Sequence, residues 1–370
     1  MRYKEFGRTG IKLSVFGYGG AKYRNTEQLD KNIENVQYAF SKGINHFDSC
    51  PGYANSEELF SRALRDCKRD TYYMSTKNQP LFINSRQEAL DGIKRSLENM
   101  KLDYFDFYYL WNVKRIDEYH KAVSISDHYQ ALLDAKSEGL IKHIALSSHL
   151  NGFEASEIID DGKIEGILLN FNILNFPYTI MAAKRAMEKG IGVGAMSPLA
   201  GGMIPMHEDK MQFLSIDGMS PTDTALEFVS GLDFINYSYI GFKEKSEIDE
   251  ASRIADMNFS LSDSDVEAIR RLVGDGLNDA CTGCMYCMDH CPNFLPISEY
   301  MTFYNYKHVF NMDENQLISK LKFAEDWFML AKRKADAKDC IKCGNCEAQC
   351  PQKINIRDRL SEIAQWEMRF

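Results

Sequence analysis

Cysteine is scarce over most of the chain. Of ten cysteines in 370 residues, only Cys50 and Cys67 precede residue 281. That excludes a disulfide-stapled fold for the first three quarters of the sequence. Basic charge is also short. Lys and Arg number 44 against 53 Asp and Glu, a formal charge of −9. Such a balance argues against a nucleic-acid partner, because neutralising phosphates needs a basic face. No uninterrupted apolar run approaches membrane-spanning length, and the opening "MRYKEFGRTGIKLS" has no apolar signal core. The expectation is a cytoplasmic protein with no membrane partner. No G-x-G-x-x-G follows the first apolar run, which weighs against a doubly wound dinucleotide-binding sheet.

What the sequence does contain, up to about residue 255, is alternation. Short apolar runs at 13–18, 44–47, 71–76, 104–110, 141–147, 166–171, 190–195 and 235–240 read as buried parallel strands. Amphipathic stretches such as 29–42, 56–66, 86–100, 127–138, 154–159 and 178–188 read as the helices between them. Eight such units predict an α/β fold, a (β/α)8 barrel. A further helical run at 262–273 leads to "GDGLND", a Gly/Asp hinge. The expected division is therefore a barrel over residues 1–275 and a small helical domain over 276–370.

The cysteines missing from the barrel are concentrated in that second part. "CTGCMYCMDHCP" and "CIKCGNCEAQCP" share the spacing C-x2-C-x2-C-x3-C-P. Three thiolates at this spacing wrap one cubane, and the fourth, followed by Pro, usually ligates the other cluster. The expected sets are Cys281, Cys284, Cys287 and Cys350 for one [4Fe–4S] cluster, and Cys340, Cys343, Cys346 and Cys291 for the second. Gly283 and Gly344 leave room for backbone N–H groups beside the sulfides. Two structural zinc sites are the alternative, but four-cysteine zinc sites usually come as two separated C-x2-C pairs. The spacing leaves open whether the clusters carry electrons or only brace the fold. From Cys281 onward twelve basic residues balance twelve acidic ones, so the whole acidic excess lies in residues 1–280.

A second constellation sits in "INHFDSCPGYANSEELF" and "TYYMSTKN". Asp48 lies just past a strand end, Tyr53 follows in the loop, and Lys77 closes the next strand. Barrel active sites form at those strand ends. An ammonium between a phenol and a carboxylate makes a proton donor. The Lys draws the phenol pKa down toward neutrality, and the carboxylate keeps the Lys charged.

These motifs, with "YKEFGRTGIKLSVFGYG", "IKHIALSSH", "MSPLAGG" and "IGFKEKSEIDEA", resemble the aldo/keto reductase family. The resemblance extends to its subgroup with a C-terminal ferredoxin-like 4Fe–4S domain. The resemblance implies an NAD(P)-linked oxidoreductase acting on a small carbonyl or alcohol, with Tyr53 as general acid tuned by Lys77 and Asp48. It implies that Ser147 and Ser148 approach the nicotinamide carboxamide and Met196 covers the ring. Ser197, Leu199 and Gly201 would flank the pyrophosphate, while Lys243 and Glu250 would meet the adenosine half. NADP(H) is expected through Lys243, a candidate partner for a 2′-phosphate; FMN at a barrel mouth stays open.

The departures from the pattern matter. Trp111, in "DFYYLWNV", stands where the family usually has its fourth catalytic residue, a His. An indole N–H donates one hydrogen bond but cannot accept or relay a proton. Ser148 replaces a frequent Asn, Leu168 a frequent Gln and Ala251 a frequent Asn. His46 and His149 are candidates for the missing imidazole or satisfied barrel-lining groups, and Cys50 reads as a small loop residue. The expected function is a reductase with two clusters relaying electrons to or from a redox partner. The alternatives are an electron-transfer protein on a barrel scaffold, or a reductase with structural clusters.

Overall fold

The structure, a computed structural model, describes every residue except 23–27, 258, 278, 282–286, 289, 327–334, 351 and 370. The strands are β1 (Tyr3–Glu5), β2 (Lys12–Ser14), β3 (Phe16–Gly19), β4 (His46–Asp48), β5 (Tyr73–Asn78), β6 (Phe105–Val113), β7 (Ile141–Ser148), β8 (Gly166–Asn170), β9 (Gly192–Met196) and β10 (Tyr237–Ile240). The first eight helices are α1 (Leu29–Ser41), α2 (Ser56–Ala63), α3 (Arg86–Met100), α4 (Ile116–Ser124), α5 (His128–Ser137), α6 (Gly152–Asp161), α7 (Ile180–Glu188) and α8 (Met203–Met206). The remainder are α9 (Pro221–Gly231), α10 (Lys245–Asp256), α11 (Asp263–Gly276), α12 (Ile297–His308), α13 (Glu314–Asp326), α14 (Asn345–Gln349) and α15 (Ile356–Glu367).

Strands β3 to β10 pair in parallel in chain order, and β10 closes on β3. The expected (β/α)8 barrel is what the chain forms. The first expected strand, 13–18, divides into β2 and β3. β2 pairs antiparallel with β1 as a hairpin. Phe6, which follows β1, is fully buried and packs edge-on against Phe107, centroids 5.1 Å apart. Its ring needs Gly166 and Gly192 at the starts of β8 and β9. A Cβ at Gly192 would lie 2.4 Å from the Phe6 ring and one at Gly166 2.5 Å. The connection between β6 and β7 carries two helices, α4 and α5, where the sequence indicated one.

The chain separates into two compact units. One comprises residues 1–172, 179–201 and 225–261, and the other 173–178, 202–224 and 262–370. Helix α11, grouped with the barrel by a division at 275, clusters with the second unit, as do segments following β8 and β9. Within the second unit a separate core gathers Tyr300, Met301, Leu317, Leu321, Ile363 and Trp366 around the cysteines. Trp366 is 1% exposed, stacks on Tyr304 at 5.7 Å and donates its indole N–H to Glu314 at 3.1 Å. The cysteine region thus has a hydrophobic centre of its own.

Candidate active site and cysteine centre

Strand alternation aims the barrel's polar groups. His46 and Asp48 share one face of β4, and Ser75 and Lys77 share one face of β5. Asp48 pairs in register with Ser75, and Lys77 with Tyr109. At the mouth, the Lys77 ammonium forms a hydrogen-bonded ion pair with Asp48 Oδ2, with both side chains buried. Ser75 Oγ donates to the other carboxylate oxygen, Oδ1, at 2.6 Å.

Tyr53 lies in the tight turn after β4, where its N–H donates to the Cys50 carbonyl at 2.9 Å and Ser56 N–H donates to its own carbonyl at 3.0 Å. Lys77 Nζ sits 4.9 Å from the Tyr53 ring centroid. Burial alone would lower the Lys77 pKa. The charge of Asp48, with Tyr53 and Cys50, outweighs it and holds the ammonium above its usual pKa. For Tyr53 the balance runs the other way: burial pushes the phenol up to about 12, against the pull of Lys77. The expected drop toward neutrality is thus corrected, because desolvation exceeds the attraction of one ammonium that Asp48 already neutralises. Burial likewise pushes the Cys50 thiol up to about 12. Cys50 Sγ instead accepts the Gly52 N–H at 3.3 Å, the behaviour of a turn residue rather than a nucleophile.

Trp111 joins this group through a bulge. The β6–β7 register shifts between Leu110 and Val113, and Asn112 adopts φ 61°, a left-handed conformation an Asn tolerates. The indole packs in a T-shaped pair with Tyr53, centroids 5.6 Å apart at 88°. It also abuts the turn, so that a Cβ on Gly52 would lie 3.1 Å from its Cη2. Trp111 therefore forms a wall against the proposed acid. Neither histidine takes its place. His46 lies one layer below Asp48, with Nε2 3.0 Å from the Ser14 carbonyl, and burial lowers its pKa to about 3. His149 is lowered to about 3 by burial and by Lys114, which leaves it neutral.

The residues expected to meet a dinucleotide lie at the ends of β7 and β9 and beyond. Ser147 and Ser148 close β7, both buried, and the Ser148 hydroxyl accepts the Leu150 N–H at 3.0 Å. Met196 ends β9. Ser197 follows, exposed and left-handed at φ 58°, then Leu199, half-buried, and Gly201 at φ 70°. Lys243 is exposed before α10, its backbone N–H held by Glu247 at 2.6 Å, and Glu250 lies on that helix. Leu168 is buried in the interior layer beneath the mouth. Sequence reading missed Asn170, two residues on, which shares the inner face of β8 at its mouth end and pairs in register with Met196. It also missed Asn172, whose side chain donates to the Ser197 carbonyl at 3.1 Å. Counting by twos from Leu168 is the signal that finds Asn170.

In the second unit, Cys291 lines the same solvent-open pocket as Cys340, Cys343 and Cys346. The first cysteine block thus lends its last thiol to the second block's chamber. Gly344 at φ 81° and Lys342 at φ 55° bend the loop around that chamber. Among the described residues no three His, Cys, Asp or Glu side chains converge as they would on one metal ion. Four thiols lining one pocket fit the donor set of a cubane. Of the other set, Cys287 and Cys350 are buried in the shared core and Cys281 packs against it. Asn305 fixes Cys281 by accepting its N–H at 2.9 Å and donating to its carbonyl at 2.8 Å. Cys284 and Gly283 lie outside the described residues.

Residues 15–273 match the aldo/keto reductase family model. The chain belongs to the aldo/keto reductase family. Residues 278–354 match a 4Fe–4S dicluster domain, so this reductase barrel carries an iron–sulfur module. Among curated relatives, D-arabinose 1-dehydrogenase of Saccharomyces cerevisiae is 32% identical over 38% of this chain and 46% of the relative. L-galactose dehydrogenase of Arabidopsis thaliana is 27% identical over 54% of this chain and 66% of the relative. The chain spans less than two thirds of either. An aldo-keto reductase from Klebsiella pneumoniae, solved with NADPH, has a TM-score of 0.61 at 17% identity, over 74% of this chain and 96% of that one. At that identity the likeness shows the fold alone.

Proposed function

We propose that this aldo/keto reductase interconverts a small carbonyl compound and its alcohol with NADP(H), and that two [4Fe–4S] clusters in its C-terminal module pass single electrons to or from a redox protein. The observation that carries the first part is the convergence of Tyr53, Lys77 and Asp48 at the barrel mouth. A bound nicotinamide supplies or accepts the hydride. The chain's own residues manage the proton. In reduction, Tyr53 O–H donates to the oxygen that becomes the alcohol, and Lys77 stabilises the phenolate left behind. Asp48 keeps that ammonium charged. Ser147, Ser148 and Asn170 offer polar groups for a carboxamide, and the Ser197–Gly201 loop, tied by Asn172, is the segment to flank a pyrophosphate. Lys243 is the residue to read a 2′-phosphate.

In the module, Cys281, Cys284, Cys287 and Cys350 hold one cluster, and Cys340, Cys343, Cys346 and Cys291 the other. Hydride transfer moves two electrons and a cluster takes one, so coupling the sites requires a flavin or a substrate that tolerates a radical. The proposed setting is cytoplasmic.

Tyr53→Phe tests the acid, and turnover of a reducible aldehyde with NADPH should fall at least about a hundredfold. An unchanged rate removes Tyr53 from the mechanism. Anaerobic titration with NADPH in the presence and absence of FMN tests the relay, and bleaching of the cluster absorbance when FMN is present is the expected result. Trp111 against Tyr53 favours one other reading, in which the barrel is a scaffold and the module alone transfers electrons; a protein that binds no NADPH would support it.

A further inference from the structure

Barrel interiors are commonly filled by branched aliphatic side chains. Beneath Asp48 this one carries hydroxyls instead. Tyr109, Tyr237 and Tyr239 are buried in the interior cluster, with His46 packed 4.6 Å from the Tyr237 ring and 5.1 Å from that of Tyr239. The Tyr109 and Tyr237 hydroxyls are 2.6 Å apart, and the Tyr239 ring packs against that of Tyr237, centroids 4.8 Å apart. Tyr239 OH is 3.2 Å from Ser75 Oγ.

The polarity of this chain is fixed at its upper end. An ionised carboxylate only accepts, so the single Ser75 proton goes to Asp48 Oδ1. Tyr239 must then be the donor to Ser75. Every hydroxyl in the run from Tyr239 to Ser75 points its proton toward the carboxylate that holds Lys77. Charge-assisted hydrogen bonds of this kind are stronger than neutral ones, and linked ones reinforce each other in a dry interior.

We propose that Ser75, backed by Tyr239, is a positioning residue that keeps Asp48 turned to Lys77, and thereby sets the acid strength of Tyr53. The proposal rests on Tyr53 as the acid and adds what governs its strength. Without the Ser75 proton, Asp48 would draw harder on the Lys77 proton. The ammonium would then attract the phenolate less, and Tyr53 would become a weaker acid. The titratable or charged groups facing this pair are His46 from β4, Lys77 from β5, Tyr109 from β6, Tyr237 and Tyr239 from β10, Cys50 and Tyr53 from the turn, and Glu57 from α2. None of them donates to Asp48 Oδ1, which leaves Ser75 with the role.

The test uses the full-length, cluster-loaded protein with two independent readouts. In the first, 3,5-difluorotyrosine replaces Tyr53, and its ionisation is followed by fluorine NMR within the pH range the fold tolerates. Ser75→Ala should move that titration up by about one pH unit, tenfold in the equilibrium. Tyr239→Phe, which keeps the ring and removes only the donor to Ser75, should move it the same way by about half as much. Ser75→Thr, which retains the hydroxyl, should restore it. In the second readout, Ser75→Ala should lower kcat for 4-nitrobenzaldehyde with NADPH about tenfold and leave KM within about twofold. Unshifted titrations in Ser75→Ala and Tyr239→Phe would overturn the proposal, as would a Thr variant that titrates like Ala. If the wild type reduces no aldehyde, Tyr53 loses its place as acid, while the fluorine titration still decides whether Ser75 governs it.

Discussion

At the barrel mouth, Lys77 is buried against Asp48, and Asp48 takes a second bond from Ser75. In the cysteine chamber, four thiols from two sequence blocks surround an opening. The first site completes its electrostatics with protein groups alone, so its geometry is a property of the barrel. The second is organised around a group the chain must acquire. Metal or cluster binding to such a site is part of folding free energy, because the unfolded chain has no preformed set of ligands. One polypeptide thus joins a site that should stand by itself to one that should not.

The largest expected effect comes from removing iron. Anaerobic chelation should erase the cluster absorbance and collapse hydrogen-exchange protection across α12 to α15, while β3 to β10 keep theirs. Protection lost in both units would break the contrast, and so would a module that stays protected.

The next largest attacks the self-sufficient site. Asp48→Asn leaves Lys77 as a buried charge without its partner, which should destabilise the barrel by about 3–5 kcal/mol in denaturant unfolding, with cluster absorbance unchanged. The effect has a pH signature. Lys77 is held above its ordinary value in the folded state. Its stabilisation is therefore complete below the unfolded pKa, about 10.4, and fades as pH climbs through the raised value. The gap between wild type and Asp48→Asn should be level from pH 7 to about pH 9 and narrow only above that. A gap that closes near neutrality would mean that the ammonium is not the charge being held.

Kinetics sharpen the same point with a smaller effect. A general acid works in its protonated form, so activity is retained below its pKa and lost above. With burial holding Tyr53 at about 12, aldehyde reduction should show no loss from its ionisation between pH 7 and about pH 10. A falling limb near neutrality would mean that Lys77 prevails over burial once substrate and cofactor are bound.

The two regions were unequally legible in the sequence. Eight apolar runs separated by amphipathic ones contain the barrel, because parallel strands buried on both faces need continuous apolar sequence. Asp48, Tyr53 and Lys77 could be found by their offsets from strand ends. The chamber that joins Cys291 to Cys340, Cys343 and Cys346 follows from the extra residue in C-x3-C. What could not be read depends on depth. Whether Tyr53 titrates low or high depends on how far desolvation outweighs one ammonium, and spacing carries no measure of that. The role of Ser75 requires knowing that β4 and β5 pair Asp48 with Ser75 and that β10 brings Tyr239 close. The burial of Phe6 depends on two glycines, Gly166 and Gly192, that are remote in sequence.

Trp111 is where geometry changes the expected result of a substitution. Taken from the sequence, Trp111 subtracts an imidazole, and Trp111→His should restore what was lost and raise aldehyde turnover. In the structure the indole packs at right angles to Tyr53, and its six-membered ring fills the space over Gly52. A histidine is smaller, so it would gain a donor but release the acid from its wall. An aromatic pair of this type contributes about 0.5–1.5 kcal/mol, and losing it from a residue that must be aimed should lower kcat about two- to tenfold. Trp111→Phe keeps an aromatic contact and should cost about twofold or less. Measured side by side on 4-nitrobenzaldehyde, Phe should exceed His. The reverse order would show that the mouth lacks a proton-relaying group more than it needs a wall, and that its site is less complete than its buried ion pair suggests.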